Sequence, residues 1–487
     1  YKSVSVLLGD MVCEQPEAKR VMLSGQKFSY FKSPQEYESP EDFRSWASKC
    51  VDTDRITFEI YGLWQDPNQL ELLECIQSKI EQDFGVESEL SCLKIRCVRK
   101  EIGDLADGMP DNKKETKIRR CDEIVAQLEQ ADSVTACIFA LPGQEQYETG
   151  DPKQVLRNAF ARTGRVVQFI NPENDINKNK IENAVYDLYR QLGIVTLLNF
   201  KKKLPPLANT PCVGMHLCTQ VHGILNKARF LPIYVTVDLL EGETQVHCDA
   251  FSNRTLSYRE ACLEMAKLFW ENDLEQRCVD ASRVPAKQKL IELKNRYYMK
   301  EDSILFVIQS DGNTRAVWSG ISDKEISGYT ITAEYCPSQI NVGMPKNPYP
   351  LSLTDSGVRI IRIRSNQAVP DYFTELSKKS TDECPQFSSA VGIFKYGDVY
   401  WGIHARPNDS QYTSSFRVSK IDHPKQRFAE KDMIELYPLQ LQSGDNTAEW
   451  IFYTNALRHI PIQYNQSTVF PLPLHLAEKL EEYLFDA

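Results

Sequence analysis

Two kinds of residue in this chain are spaced for chemistry: carboxylates that end apolar strands, and cations that repeat on one face of an element. Asp311 closely follows the apolar run Ile304–Ile308 and precedes Gly312, while Asp238 ends a second apolar run 73 residues earlier. Oxygen ligands at strand ends suit a hard cation such as Mg2+. A third carboxylate, Glu478, closes the tail segment Pro471-Leu-Pro-Leu-His-Leu-Ala-Glu, with His475 beside it. Each has a purely structural reading as well: Asp311 as an Asp-Gly turn, His475 as a satisfied core histidine.

The cations fall in two groups. Lys153 and Arg157 stand four residues apart and share a helix face. Tyr147 precedes them, Gln168 lies in the following strand and Arg190 late in the next helix. The second group is Val358-Arg-Ile-Ile-Arg-Ile-Arg, in which Arg362 and Arg364 share a strand face, with Arg315 upstream behind Asp311-Gly-Asn-Thr. Cations on one face meet a phosphate backbone; they also read as a solvated helix face, as charges guarding an edge strand, or, for Arg190, as a helix C-terminal cap. Ser410 to Ser415 add hydroxyls that suit phosphate.

The elements that position these residues follow from period and punctuation. Residues 1–50 are polar and broken by Pro34 and Pro40, which predicts loops with short strands. Ile56–Gly62 and Leu93–Val98 alternate as strands around a helix over Leu70–Phe84, with Asp66 as its N-cap. Asp107–Lys117 reads as a linker. Ser133–Pro142 is a buried parallel-type strand, followed by a helix from Pro152, stopped by Gly164, then the strand Arg165–Ile170 and a helix Lys180–Leu192 ended by Gly193. Strand and helix alternating at this spacing make a doubly wound layer, whose strand ends and helix N-termini suit an anion. Beyond Lys201–Thr210, three strands (Cys212–Cys218, Phe230–Leu240, Thr244–Phe251) precede helices at Ser257–Trp270 and Ala286–Tyr298 and the strand ending at Asp311. Further strands are predicted at Val391–Phe394, Val399–His404 and Phe416–Ile421, and terminal helices close the chain. The fold class is therefore α/β, in three parts: an α+β linker region at 1–117, a Rossmann-like domain at 118–205 and an RNase H-like domain at 206–487.

Composition excludes some classes. With 42% apolar and 25% charged residues the 487-residue chain reads as ordinary globular protein of two to four domains. It has no run of eighteen apolar residues, so no membrane partner is expected. Net charge of −10 argues against a surface coated in nucleic acid, though not against a local basic channel. There is no G-x-G-x-x-G, so a dinucleotide site is not expected. The fourteen cysteines form no Cys-x-x-Cys pair, and the closest spacings, Cys92 to Cys97 and Cys212 to Cys218, are not those of a zinc site. Reduced thiols in a cytoplasm fit better. The start, Tyr1-Lys-Ser-Val, lacks methionine and reads as that of a fragment or processed chain.

The tail, with its helix around Trp450 and Ile451, its polar loop Gln463–Thr468 and its proline-led segment, resembles the end of the PIWI domain of Argonaute proteins. Its Pro-Leu-His-Leu-Ala form is most like the prokaryotic PIWI-RE family, and residues 118–205 resemble an Argonaute MID domain. The resemblance implies that Tyr147, Lys153, Arg157, Gln168 and Arg190 hold a guide strand's 5′ end, and that Arg315, Arg362 and Arg364 contact the duplex backbone. It implies an RNase H site in which the first aspartate falls on His216, the second on Asp311 and the last ligand on Glu478. A lone imidazole is a poor Mg2+ ligand, so a layer that binds guide and target, DNA or RNA, without cutting is the expectation. The one cofactor the resemblance leaves room for is Mg2+ at the guide 5′ end. It further implies defence against foreign DNA, with a helicase and a separate nuclease as partners, and a paired Arg and Glu, with Gln367 standing where the Glu would fall after the Arg-rich strand. Two alternatives stand: an active metal-dependent nuclease using Asp238, Asp311 and Glu478, and a degenerate protein-interaction scaffold.

Overall fold

The computed structural model describes residues 39–172 except 90, 177–195, 210–222, 227–239, 241–251, 254–268, 303–310, 357–365, 392–396, 399–403, 433–458 and 468–485. It also describes the short strands 19–21, 31–32, 197–198, 339–341, 350–352, 373–375 and 428–430, and residues 270 and 314.

The first layer is a four-stranded, all-parallel sheet. Helix α1 (Pro40–Val51) leads into β1 (Arg55–Gly62), α2 (Pro67–Phe84), β2 (Lys94–Glu101), α3 (Lys114–Gln127), β3 (Val134–Ala140), α4 (Lys153–Arg162), β4 (Arg165–Ile170) and α5 (Lys178–Leu192). The strand order is β2-β1-β3-β4, with Ile60 opposite Ile138 and Ile138 opposite Gln168. This sheet crosses the expected boundary at residue 117: the β-α-β unit assigned to a linker region pairs directly with the strands after it. The hydrogen-bond ladder decides, because β1 is a central strand between β2 and β3.

Helix α1 is the second departure from expectation. Ser39 accepts from Asp42 N at 3.2 Å while Asp42 Oδ2 accepts from Ser39 N at 3.0 Å, a capping box with proline in the first turn. Asp66 caps α2 as expected, accepting from Asn68 N at 3.0 Å. The two faces of the sheet bury separate sets: Phe58, Ile60, Val166 and α5 on one side, Phe139, Val167 and α4 on the other.

The second layer is a ten-stranded sheet with the predicted RNase H order at its centre. Its strands are β5 (Cys212–His222), β6 (Lys227–Val237), β7 (Thr244–His247), β8 (Thr255–Ser257), β9 (Ile304–Gln309), β10 (Val358–Ser365), β11 (Gly392–Tyr396), β12 (Val399–Ile403) and β13 (Met433–Gln440). Their order is β11-β12-β13-β10-β9-β5-β6-β7-β8, with Lys19–Val21 added beside β11. β9 runs parallel to both β5 and β10, and the other pairs are antiparallel. Helix α6 (Tyr258–Leu268) follows β8. The predicted helix at 286–298, the strand at 416–421 and the hydroxyls of 410–415 lie outside the described residues.

Two terminal helices, α7 (Thr447–Ala456) and α8 (Leu472–Lys479), lie against this sheet, and a single 3-10 turn, Leu480–Tyr483, follows. Glycine allows the closest approaches. A Cβ on Gly214 of β5 would meet Pro473 C and Leu474 N at 2.3 Å, and one on Gly402 of β12 would meet Asn455 Oδ1 at 2.2 Å. Among the described residues no helix is long and apolar enough to cross a membrane.

Candidate nucleic-acid interface

The first site lies where β3 ends and α4 begins. The chain leaves β3 through Pro142, passes a short 3-10 turn at Gln144–Gln146, and enters α4 after Pro152. Lys153, first in the helix, turns back: its Nζ donates to Pro142 O at 2.6 Å and to Asp151 Oδ2 at 3.2 Å. The Tyr147 ring centroid is 5.8 Å from that Nζ, within reach of a cation–π contact. Burial, with Asp151 adding to it, pushes the Tyr147 hydroxyl up to about 12. That hydroxyl is buried and has no hydrogen-bond partner. At the end of β4, Asn171 Oδ1 is in the same condition.

One turn into α4, Arg157 stacks between Phe169 and Tyr483, 5.3 and 5.5 Å from their centroids. Its Nη1 is 3.5 Å from Glu482 Oε2, a long pairing, and its Nε is buried with no partner. Against the burial that would raise it, Arg157, Arg190 and Lys479 hold the Glu482 carboxyl below the usual range.

Tyr147, Lys153 and Arg157 therefore share the α4 side of the sheet. Gln168 does not: strand alternation groups it with Val166 and Ile170, which pack toward α5. Phe169, one residue on, is what meets Arg157. Arg190 is not a surface cation either. It is 1% exposed, donates to Asp187 Oδ1 at 2.8 Å and to Tyr258 Oη at 2.7 Å, and Tyr258 in turn donates to Leu476 O at 3.0 Å. The expected phosphate ligand is instead the centre of a buried network that ties α5 through α6 to α8. Tyr483 completes the weld, accepting from Val167 N at 2.9 Å and donating to Gln191 Oε1.

The arginine-rich strand departs from expectation in the same way. β10 is an interior strand between β9 and β13, and Arg362 and Arg364 are 3% and 4% exposed. Both point at Glu435 of β13: Arg362 Nη2 is 2.7 Å from Oε1, and Arg364 Nη2 is 2.6 Å from Oε2. Arg359 is held by Asp445 at 2.6 and 2.8 Å. Charge is consumed inside the sheet and does not line an outer face. Arg315 and Gln367 lie outside the described residues.

The second site lies where β5 passes the end of β9. Met215 is opposite Ile308, so His216 comes level with Gln309. Its Nδ1 is 3.4 Å from Gln309 Oε1 and its Nε2 is 3.0 Å from Glu481 Oε2. The tail carboxylate that meets His216 is thus Glu481, three residues beyond the expected Glu478. Burial pushes the Glu478 carboxyl above the usual range, with His216 and Lys479 acting the other way. His475 is buried, and burial with nearby Arg190 and Lys479 drives it down to about 3. It is a neutral core histidine. Asp311 lies outside the described residues.

The rival aspartate is at the other end of the sheet. Asp238 follows Val237, which pairs with Cys212 at the start of β5, and its Oδ1 accepts from Glu241 N at 3.0 Å to hold the β6–β7 turn. His216 is four strand residues away along β5, about 13 Å at a strand's rise per residue.

With this geometry in place, comparison with known proteins decides the family. A model described as the RNaseH domain of pPIWI_RE matches residues 212–486, and one described as the MID domain of pPIWI_RE matches residues 98–199. The chain belongs to the pPIWI_RE family. Solved structures similar in outline include an Argonaute of Marinitoga piezophila in complex with 5′ OH guide RNA (12% identity, 96% of this chain and 59% of that one, TM-score 0.42). Others are the Argonaute of Aquifex aeolicus (10% identity, 97% and 55%, TM-score 0.47) and Drosophila Piwi (9% identity, 96% and 53%, TM-score 0.43). The chain spans little more than half the length of these structures. No curated protein matches the sequence.

In this pPIWI_RE chain the MID match begins at residue 98, inside the four-stranded sheet. The described residues do not fit a carboxylate-held Mg2+ at the α4 edge, because Asp151 is taken by Lys153 and Glu482 by Lys479, at 2.7 Å, and Arg157. Sequence reasoning missed Glu481, Glu435 and Asn171. None of the three carried a local signal.

Proposed function

We propose that this chain grips the 5′ end of a guide strand at the α4 edge of its first sheet and holds the guide–target duplex without cutting it. The observation that supports this best is the set of polar atoms left over at that edge. Tyr147 Oη and Arg157 Nε are buried donors with no partner, each costing about 1–3 kcal/mol while unmatched. A 5′-phosphate supplies the acceptors they lack, beside the Lys153 ammonium at the N-terminal end of α4. Base pairing then reads sequence, and the protein reads shape and charge.

The absence of cleavage rests on His216, which stands where the family resemblance implies a first aspartate. The family resemblance supports a role in defence against foreign DNA, with a helicase and a separate nuclease as partners, and the cysteine pattern supports a cytoplasmic setting.

Filter binding of 5′-phosphorylated and 5′-hydroxyl oligonucleotides tests the grip. The phosphorylated strand is expected to bind at least tenfold more tightly, a preference lost in Lys153→Glu/Arg157→Glu. Equal binding of both strands, or none at low salt, would favour a protein-interaction scaffold. Incubation of a guided target with Mn2+ or Mg2+ tests the rest: specific cuts abolished by Asp311→Ala would overturn the non-cutting reading.

A further inference from the structure

His216, at the position where the resemblance implies a first aspartate, forms with Cys218 and Glu481 a cluster whose donor set is not that of a Mg2+ site. One ligand atom from each, the imidazole nitrogen, the thiol sulfur and a carboxylate oxygen, lie within 4.8 Å of one another. His216 and Cys218 are two apart on β5, so they share the face that Gly214 presents to α8. Glu481 reaches them from the 3-10 turn, with its side chain 44% exposed, while Cys218 is fully buried.

We propose that this cluster is a site for a borderline-soft divalent ion of the Zn2+ class. A nitrogen, a sulfur and an oxygen donor are the set such an ion takes, and Mg2+ does not take a thiolate. At Zn–ligand bond lengths a tetrahedral ion separates its donors by about 3.3–3.8 Å. His216 Nε2 and Glu481 Oε2 are already 3.0 Å apart, and the longest separation needs to close by only about 1 Å. A second observation points the same way. His216 Nδ1 faces Gln309 Oε1 at 3.4 Å, the outer partner that fixes a metal-binding imidazole with Nε2 turned to the ion.

Binding balances as an exchange of protons for the ion. The ion takes a neutral imidazole, a thiolate and a carboxylate, so any protons these donors carry pass to solvent as three donor–metal bonds form. Affinity therefore rises with pH. Three protein donors leave one tetrahedral position for water or a phosphate oxygen. The turn held by Glu481 also carries Glu482 to Arg157 and Tyr483 to Val167 and Gln191. An ion here would pin the 3-10 turn to β5 and so fasten the second sheet to the wall of the α4 edge. This inference does not depend on guide binding.

Titration of the purified, metal-stripped chain with Co2+ as the spectroscopic stand-in for Zn2+ tests it. The expected result is about one equivalent bound per chain, with tetrahedral visible bands and a thiolate charge-transfer band that weaken on acidification. Cys218→Ser should remove the thiolate band, and Gln309→Ala should weaken affinity by roughly 10–100-fold. Glu481→Gln, at a half-exposed position, should weaken it at least tenfold and remove the Zn2+-dependent rise in Tm. A chain that binds no Co2+, or a band that survives unchanged in both Cys218→Ser and Glu481→Gln, overturns the site.

Discussion

Two groups of cations look alike in the sequence and fare oppositely in the fold. Lys153 and Arg157 lie on the first turns of a helix at the open ends of parallel strands, each with a carboxylate at 3.2–3.5 Å. Arg362 and Arg364 lie on an interior strand and converge on one buried carboxylate, Glu435. What separates them is the identity of the next strand across: β10 is covered by β13, and β13 brings an acid to the shared face. The number of cations in a segment says how much charge is present. The neighbours decide whether any of it is left for a ligand.

The comparison breaks most sharply at Glu435. Replacing it with Gln removes the carboxylate both arginines share, and breaking a buried ion pair from one side costs about 3–5 kcal/mol. Chemical denaturation should show that loss, with oligonucleotide affinity of the surviving folded fraction unchanged. A loss of affinity without a loss of stability would return Arg362 and Arg364 to the phosphate-binding group. Tyr483→Phe is the next in size. It strands the Val167 N–H and the Gln191 carbonyl in the interior, each worth about 1–3 kcal/mol, and should lower stability while leaving the Lys153 edge intact.

Where the sequence was legible, the signals were local. Asp66-Pro67 announced α2, the continuous apolar run at Val134–Ala140 announced a buried parallel strand, and the proline-led tail announced α8. The three antiparallel strands that precede β9 followed from the same runs. The Ser39–Asp42 capping box was equally local, but Pro34 and Pro40 made the region read as loop, although a proline in the first turn favours a helix. Other features had no local signal. Glu435 lies 71 residues beyond Arg364 and Glu481 lies 265 beyond His216, and no periodicity links such pairs. Arg190 fell between: Asp187 one turn earlier was visible, but its burial depends on Tyr258.

The third effect is smaller and depends on pH. The His475 imidazole is driven down to about 3 in the folded chain by burial, Arg190 and Lys479, against about 6.5 when unfolded. Below about 6.5 the unfolded chain takes up a proton that the folded chain refuses, so acid favours unfolding. His475 therefore contributes a loss of about 1 kcal/mol between pH 7 and 5.5, growing as the pH falls toward 3. His475→Gln should flatten that part of the stability profile. A profile unchanged by the substitution would mean that the imidazole titrates alike in the folded and unfolded chain and is not held neutral by burial.

The smallest effect on the fold should be the most informative about binding. Lys153 is part-exposed, and its pairing with Asp151 is of the kind that contributes about 0.2–1 kcal/mol. Lys153→Ala should leave Tm nearly unchanged. If Lys153 meets a phosphate, the slope of log affinity against log salt should fall by about 0.7 for a single strand, one counterion fewer released. Arg362→Met should show the reverse, a large loss of stability and an unaltered salt slope. The pair of measurements separates charge presented to a ligand from charge spent inside the sheet. An unchanged slope in Lys153→Ala would place Lys153 in the spent group, held by Pro142 and Asp151, and leave the α4 edge without its ammonium.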